Sequence, residues 1–352
     1  MNLTEKLNGL YRSYGYRQFK VNKFEEYDYY ARNRDFLVSG KIISFTDMNG
    51  KLMALKPDVT LSIIKNSKDN AEVTQRMYYN ENVYRVSKGT GNFRENFQTG
   101  LECIGLIDDY CIYETIMLAA LSLEKISDEY VLDISNLDIL PKIMSRLDLP
   151  AGSELQAIRY IRHKDTHDLK KLCEQNNVSS EGFDALSKLI SAYGSPSHVI
   201  EKLREIPEEY MDLDALSKLC KITVPLEKEL PGKINIDFSV VSDIKYYNGF
   251  IFNGFVSGLP RAVLSGGQYD RLLKSMGRSS KGLGFAVFMD ALELLRREES
   301  EISSDILLIY DNDDDPEKIY NKAQALRLGG KSVALQKKVP EGERFGEVKG
   351  LG

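Results

Sequence analysis

Apolar residues Leu3, Leu7, Leu10 and Tyr11 recur at helical spacing and predict a helix over 3–14, closed by Gly15. Two aromatic-rich stretches follow, Tyr16–Val21 and Phe24–Tyr30. Ile42–Asp47 and Lys51–Leu55 predict strands joined at Asn49-Gly50, a dipeptide that favours tight hairpin turns. A strand ends at Pro57, and Asp58 or Thr60 can cap the helix that continues through Ile63 and Ile64. The stretch Tyr84–Gly105, YRVSKGTGNFRENFQTGLECIG, predicts strand–loop–strand, with Gly89 and Gly91 in the loop. Asp109–Ser127 predicts an amphipathic helix with Ile112, Ile116, Ala119 and Ala120 on one side, and Tyr130–Ile134 a short strand.

The pattern changes near Pro150. Residues 151–224 carry dense helical spacing, as in Leu155, Ile158 and Ile161 or Leu186, Leu189 and Ile190, and predict an all-helical insertion. Strand character returns at Ile234–Ser239 and, after a turn, at Phe250–Phe252; the run Leu264–Leu272 follows, and Gly282–Val287 leads into a helix through Leu294. The tail reads as a separate βαβ unit over 301–352: a strand at Ile306–Tyr310, a helix at Pro316–Leu328, and a strand at Ser332–Leu335. The acidic run Asp311–Asp315 lacks the glycine and closing glutamate of a calcium loop and reads as a solvated loop with a helix cap.

Length and composition suit a two-domain globular chain: 352 residues, 42% hydrophobic. The net charge of −5, with acids and bases interspersed, argues against a protein that works mainly by gripping nucleic acid. No run approaches the ~20 apolar residues of a membrane span, and the N-terminus lacks the pattern of a signal peptide. The four cysteines, Cys103, Cys111, Cys173 and Cys220, are scattered without CxxC pairing, as expected of reduced thiols in a cytoplasmic protein. His163 and His167 stand four apart on one predicted helix near Cys173, but no further ligands complete a metal site.

The candidate chemistry lies in the 84–105 hairpin. Arg85 and Arg94 sit on opposing arms. On the second arm Gln98, Gly100 and Glu102 share one face of the strand, and the glycine would leave room for a ligand between the two polar groups. Taken alone, the stretch also fits a surface hairpin of mixed charge, and Asp58 fits a helix cap with no other role.

The hairpin resembles motif 2 of class II aminoacyl-tRNA synthetases, and specifically the histidyl branch. The likeness runs over roughly residues 3–295, with Leu55-Lys56-Pro57-Asp58 similar to the LRPE run, Tyr246-Tyr247 to the YYTG run, Gly266-Gly267-Gln268-Tyr269-Asp270 to GGRYD, and Gly284-Phe285-Ala286 to the start of motif 3. It implies an α+β fold, an antiparallel sheet flanked by helices over 1–300, with the 151–224 insertion and the 301–352 unit as a truncated remnant of a domain of about a hundred residues. It also implies a histidine pocket built from Asp58, Thr60, Gln98, Glu102, Tyr246 and Tyr247, with Arg85 and Arg94 as vestigial contacts to phosphate or carboxylate.

The chain departs from that pattern where an active synthetase handles ATP. By register Ser242 and Ala291 stand where the family has arginines, Lys245 replaces an aspartate, Gln268 replaces the arginine of GGRYD, and Ser87 stands where an acid follows the motif 2 arginine. Each lost donor at a developing charge is worth roughly a hundred- to thousandfold in rate. A histidine pocket without adenylation machinery resembles the regulatory-subunit family of ATP phosphoribosyltransferase, which is related to the synthetases. That likeness implies a chain with no catalytic residues, cofactor or metal, that binds L-histidine and a short-form catalytic subunit. It further implies homodimers within a hetero-octamer, histidine feedback in the first step of histidine biosynthesis, and no role for tRNA. The alternatives are a divergent histidyl-tRNA synthetase or other amino-acid adenylating enzyme, and a sensor of tRNA or histidine.

Overall fold

Asn2 opens α1 (Leu3–Ser13) by accepting from the Thr4 amide, and Gly15, at φ +82°, closes it where a side chain would be strained. The computed structural model describes residues 2–37, 41–87, 90–240, 246–292 and 302–351. Ser242, Lys245, Gly89, Leu294 and the 300/301 boundary expected from the sequence lie outside the described residues. Contacts divide the chain into two compact units, 1–291 and 292–352.

In the first unit, β1 (Arg17–Gln18), β2 (Phe24–Glu26) and α2 (Tyr27–Arg32) lead to the hairpin β3 (Ser44–Thr46) and β4 (Leu52–Leu55). That hairpin turns at Gly50, whose φ of +80° suits the Asn-Gly signal. Strands β2, β4 and β3 form a small antiparallel sheet. Helix α3 (Val59–Asn66) is followed by the long pair β5 (Gln75–Val86) and β6 (Phe93–Gly105), then α4 (Asp109–Glu124) and β7 (Tyr130–Asn136). Helices α5 (Leu140–Leu147), α6 (Ala151–His163), α7 (Thr166–Gln175) and α8 (Ser180–Ser191) come next. After them run β8 (Tyr193–Gly194), α9 (Pro196–Leu203) and α10 (Leu213–Glu229). The unit ends with β9 (Ile234–Asp237), β10 (Asn248–Val256), β11 (Leu264–Gln268), α11 (Asp270–Ser275) and β12 (Lys281–Phe288).

Among the described residues the main sheet has nine strands, in the order β1-β5-β6-β12-β11-β10-β7-β9-β8. It is mixed rather than purely antiparallel, because β1 runs parallel to β5 and β9 parallel to β7. A parallel neighbour needs a long crossover, and here the helical insertion supplies one: the chain leaves β7, passes through α5–α10, and returns as β9. The insertion is not wholly helical, since Tyr193–Gly194 pairs with β9 at the sheet edge, and α10 runs past residue 224 through Pro225. Helix α4 is buried on most sides rather than amphipathic: Ile112, Ile116, Ala119 and Ala120 face the interior, and so do Leu118 and Leu123. It packs on the sheet while α1 and α10 cover it. His163 closes α6 and His167 lies in the first turn of α7, beyond Lys164 at φ +53°, so the two histidines are not on one helix.

The second unit holds β13 (Ile302–Ile309), α12 (Pro316–Leu328), β14 (Val333–Gln336) and β15 (Arg344–Gly350). Its sheet has β13 in the centre with parallel neighbours on both sides, one strand more than the βαβ expectation. The extra strand is polar and mostly exposed, so no hydrophobic alternation marked it. Asp315 caps α12.

A buried ion pair ties the start of the site to the sheet. Lys56 is fully buried, its ammonium 2.6 Å from Glu81 on β5, and burial lowers its pKa. The other Glu81 oxygen accepts the Val21 amide at 3.0 Å. Glu81→Gln keeps an acceptor for Val21 but strands the lysine charge, so it should cost about 3 kcal/mol in a denaturant titration. The paired replacement Lys56→Met with Glu81→Leu should recover most of that loss.

Candidate functional site

Pro57 ends the β4 segment and Asp58 caps α3, its Oδ1 accepting the Leu61 amide at 2.9 Å. The cap and the site roles are compatible, because Asp58 also lines a cavity of about 550 Å³. Thr60, in the first helical turn, donates its hydroxyl to Glu102 Oε1 at 2.6 Å. Across β5 and β6, Arg85 stands directly opposite Arg94, and further along β6 Gln98, Gly100 and Glu102 share a face.

All six residues expected to hold histidine, Asp58, Thr60, Gln98, Glu102, Tyr246 and Tyr247, line this one cavity, together with Arg85. The space over Gly100 is used differently from expectation. A β-carbon there would fall 2.6 Å from the Tyr79 hydroxyl and 2.2 Å from the Phe285 carbonyl oxygen, so the glycine admits the protein's own tyrosine rather than a ligand. Tyr79 and Tyr269 join the lining.

Glu102 lies at the bottom, 2% exposed. Its second oxygen accepts the Tyr269 hydroxyl at 2.6 Å. Gly284 stands opposite it on β12, where a β-carbon would fall 1.9 Å from that oxygen. Burial pushes the Glu102 pKa up to about 8, against the pull of its two hydroxyl donors. Burial also raises Asp58, which the Leu61 amide and Arg85 oppose. The aromatic wall is continuous: Tyr246 and Tyr247 meet edge to face at 4.6 Å, and Tyr269 and Phe36 lie 6.1 and 6.5 Å from Tyr246. Such a cavity offers acids for ammonium or ring N–H groups, an amide that donates and accepts, and ring faces for a flat heterocycle.

Arg94 is not among these residues. It lines a second cavity of about 340 Å³ with Arg85, Ser87, Ala291 and Arg261. Arg85 belongs to both cavities, and its Nε donates to the Pro57 carbonyl at 3.1 Å. Asp290 closes the second cavity, accepting from the Asn96 side chain and the Phe97 amide. Arg261, from the β10–β11 connection, thus brings a guanidinium to the cavity where Ala291 lacks one. Gln268 supports the sheet instead, its Oε1 accepting the Phe250 amide at 2.8 Å beside the bulge in β10. Arg162, in the last turn of α6, lines the first cavity. Neither Arg162 nor Arg261 sits in a local motif, so only the folded chain brings them to the site. Among the described residues no cluster of three or more His, Cys, Asp or Glu could hold a metal ion, and no helix is long and apolar enough to cross a membrane.

Comparison with known proteins places this geometry. Residues 1–292 match the family model described as histidyl-tRNA synthetase. The chain is 26% identical over 345 residues to an ATP phosphoribosyltransferase regulatory subunit of Caldanaerobacter subterraneus, covering 95% of this chain and 89% of the relative. It is also 26% identical over 340 residues to a histidine–tRNA ligase of Methanocaldococcus jannaschii, covering 94% and 80%. A crystal structure from Bacillus halodurans C, described as an ATP phosphoribosyltransferase regulatory subunit/histidyl-tRNA synthetase, superposes with a TM-score of 0.76. It is 22% identical, over 99% of this chain and 93% of that one.

The raised Glu102 pKa makes a pH prediction. Below about pH 4.5 the carboxyl is protonated whether the chain is folded or not, and between there and about 8 only the folded chain keeps the proton. Stability contributed by this group therefore falls as pH rises through that window. Glu102→Gln should raise the melting temperature more at pH 8 than at pH 5; an equal change at both would show that Glu102 ionises normally.

Proposed function

We propose that this chain, which belongs to the histidyl-tRNA synthetase family, is a regulatory subunit of ATP phosphoribosyltransferase that binds L-histidine and acts on a separate short-form catalytic subunit. The observation that carries this reading is the convergence of Asp58, Thr60, Gln98, Glu102, Tyr246 and Tyr247 on one cavity whose floor is acidic and whose wall is aromatic. In this reading the acids meet the ammonium and the imidazole N–H groups, Thr60 and Tyr269 hold the Glu102 carboxyl in place, and the tyrosines enclose the ring. The name of the Caldanaerobacter relative supports the regulatory role.

Regulation then requires that L-histidine bind one arrangement of the assembly more tightly than another, since a ligand shifts an equilibrium only by its differential affinity. The working assembly is a cytoplasmic hetero-octamer of homodimers of this chain with catalytic subunits, and the chemistry on ATP belongs to the partner.

A second reading, an amino-acid adenylating enzyme, gains from Arg261, which gives the second cavity three arginines among the described residues. Its requirement is charge stabilisation on the phosphoryl oxygens during attack by a carboxylate. Histidine-dependent exchange of pyrophosphate into ATP would establish it; the regulatory reading expects none. Added to the short catalytic subunit, the chain should raise its turnover, and L-histidine should lower it again. Asp58→Ala and Glu102→Ala should each weaken L-histidine binding about tenfold or more. If either abolishes binding but leaves inhibition intact, the inhibitory site lies elsewhere in the assembly.

A further inference from the structure

Among the described residues the first cavity is lined by two acids and two arginines, and one of those arginines belongs to it alone. Arg85 is shared with the second cavity and is engaged through Nε by the Pro57 carbonyl. Arg162 lines the first cavity and not the second, and it comes from the helical insertion rather than from the sheet.

Its placement is fixed by the residues that follow it. Lys164, two positions on, ends α6 in the left-handed conformation at φ +53°. Its ammonium reaches the buried Asp237 at the end of β9 at 2.8 Å and lies over the Tyr193 ring at 4.3 Å. Asn235 on β9 donates to the Tyr193 hydroxyl at 3.0 Å and to Asp133 on β7 at 3.3 Å. Asp133 is in turn paired across the sheet with Asn253, itself a lining residue of the cavity. The end of α6 is thus pinned to the sheet edge by a buried carboxylate, with Arg162 half a turn before the pin.

We infer that Arg162 is the partner of the ligand's α-carboxylate, so that an amino acid in this cavity bridges the sheet and the helical insertion. The inference rests on the amino-acid reading of the cavity. Asp58 and Glu102 provide for the cationic end and the ring; the carboxylate finds no donor of opposite charge among them, and a charge taken out of water needs a paired, hydrogen-bonded partner. A guanidinium is the group that can grip a carboxylate through two parallel hydrogen bonds. Because that cation sits on α6, occupancy of the cavity ties the insertion to the acidic floor. An empty cavity leaves the Lys164–Asp237 contact in place without that second link.

The test is calorimetric titration of the full chain with L-histidine and with histamine, which keeps the imidazole and the amine but lacks the carboxylate. Arg162→Ala should weaken L-histidine about tenfold to a hundredfold while changing histamine affinity by less than about twofold. Arg162→Lys, which keeps the charge without the planar fork, should recover part of the loss. Equal losses for both ligands would show a merely structural role and overturn the assignment, as would an unchanged L-histidine affinity. Wild-type chain that binds neither ligand would overturn the amino-acid reading and the role of Arg162 with it, whereas normal wild-type binding with an unaffected Arg162→Ala would remove Arg162 alone.

Discussion

A carboxyl group buried at the base of the cavity organises the site. Glu102 is held by two hydroxyls, Thr60 from the first turn of α3 and Tyr269 from the residue between β11 and α11. Room for it exists because its neighbour across the sheet is Gly284. An acid in such surroundings is costly unless it is hydrogen-bonded or keeps its proton; here two hydroxyls bond it, and burial pushes its pKa up. The arrangement joins the helix cap, the long hairpin and the last two strands of the sheet, segments that lie far apart in the sequence. Displacing α3 would remove the Thr60 donor, and displacing the segment after β11 the Tyr269 donor.

From that floor the charge changes sign toward the rest of the site. Asp58 and Glu102 mark the acidic end, Arg85 stands between the two cavities, and Arg94 and Arg261 line the second. The aromatic side chains of Tyr246, Tyr247, Tyr269 and Phe36 cover the flank between them. In the amino-acid reading proposed above, the ligand's cationic end would meet the acids and its anionic end Arg162, on the first cavity alone. The second cavity is cationic despite the alanine at position 291, because Arg261 arrives from a loop instead of from the motif where the family has its arginine. Cationic surroundings alone do not make a phosphoryl-transfer site, which also demands positioned oxygens and metal.

Much of this was legible in the chain. Strand periodicity put Gln98 and Glu102 on one face of β6, and the structure has them there. The proline before Asp58 marked both the strand end and the cap. What the sequence hid depends on contacts between distant segments. Gly100 suggested open space, yet Tyr79 from the paired strand fills it. Arg162 and Arg261 lie in a helix end and a connecting loop with no motif of their own. The parallel strands β1 and β9 could not be oriented from alternation, because period two is the same in either direction. Strand β15 left no pattern in the sequence because few of its side chains are buried.

The most direct measurement is a calorimetric titration of the isolated chain with L-histidine, set beside L-phenylalanine, whose ring is flat but carries no N–H groups for Glu102 or Gln98. One saturable site for L-histidine and no measurable uptake of L-phenylalanine is the expected result. Equal binding of the two, or binding of neither, would contradict a cavity built around a buried acid for an imidazole-bearing amino acid.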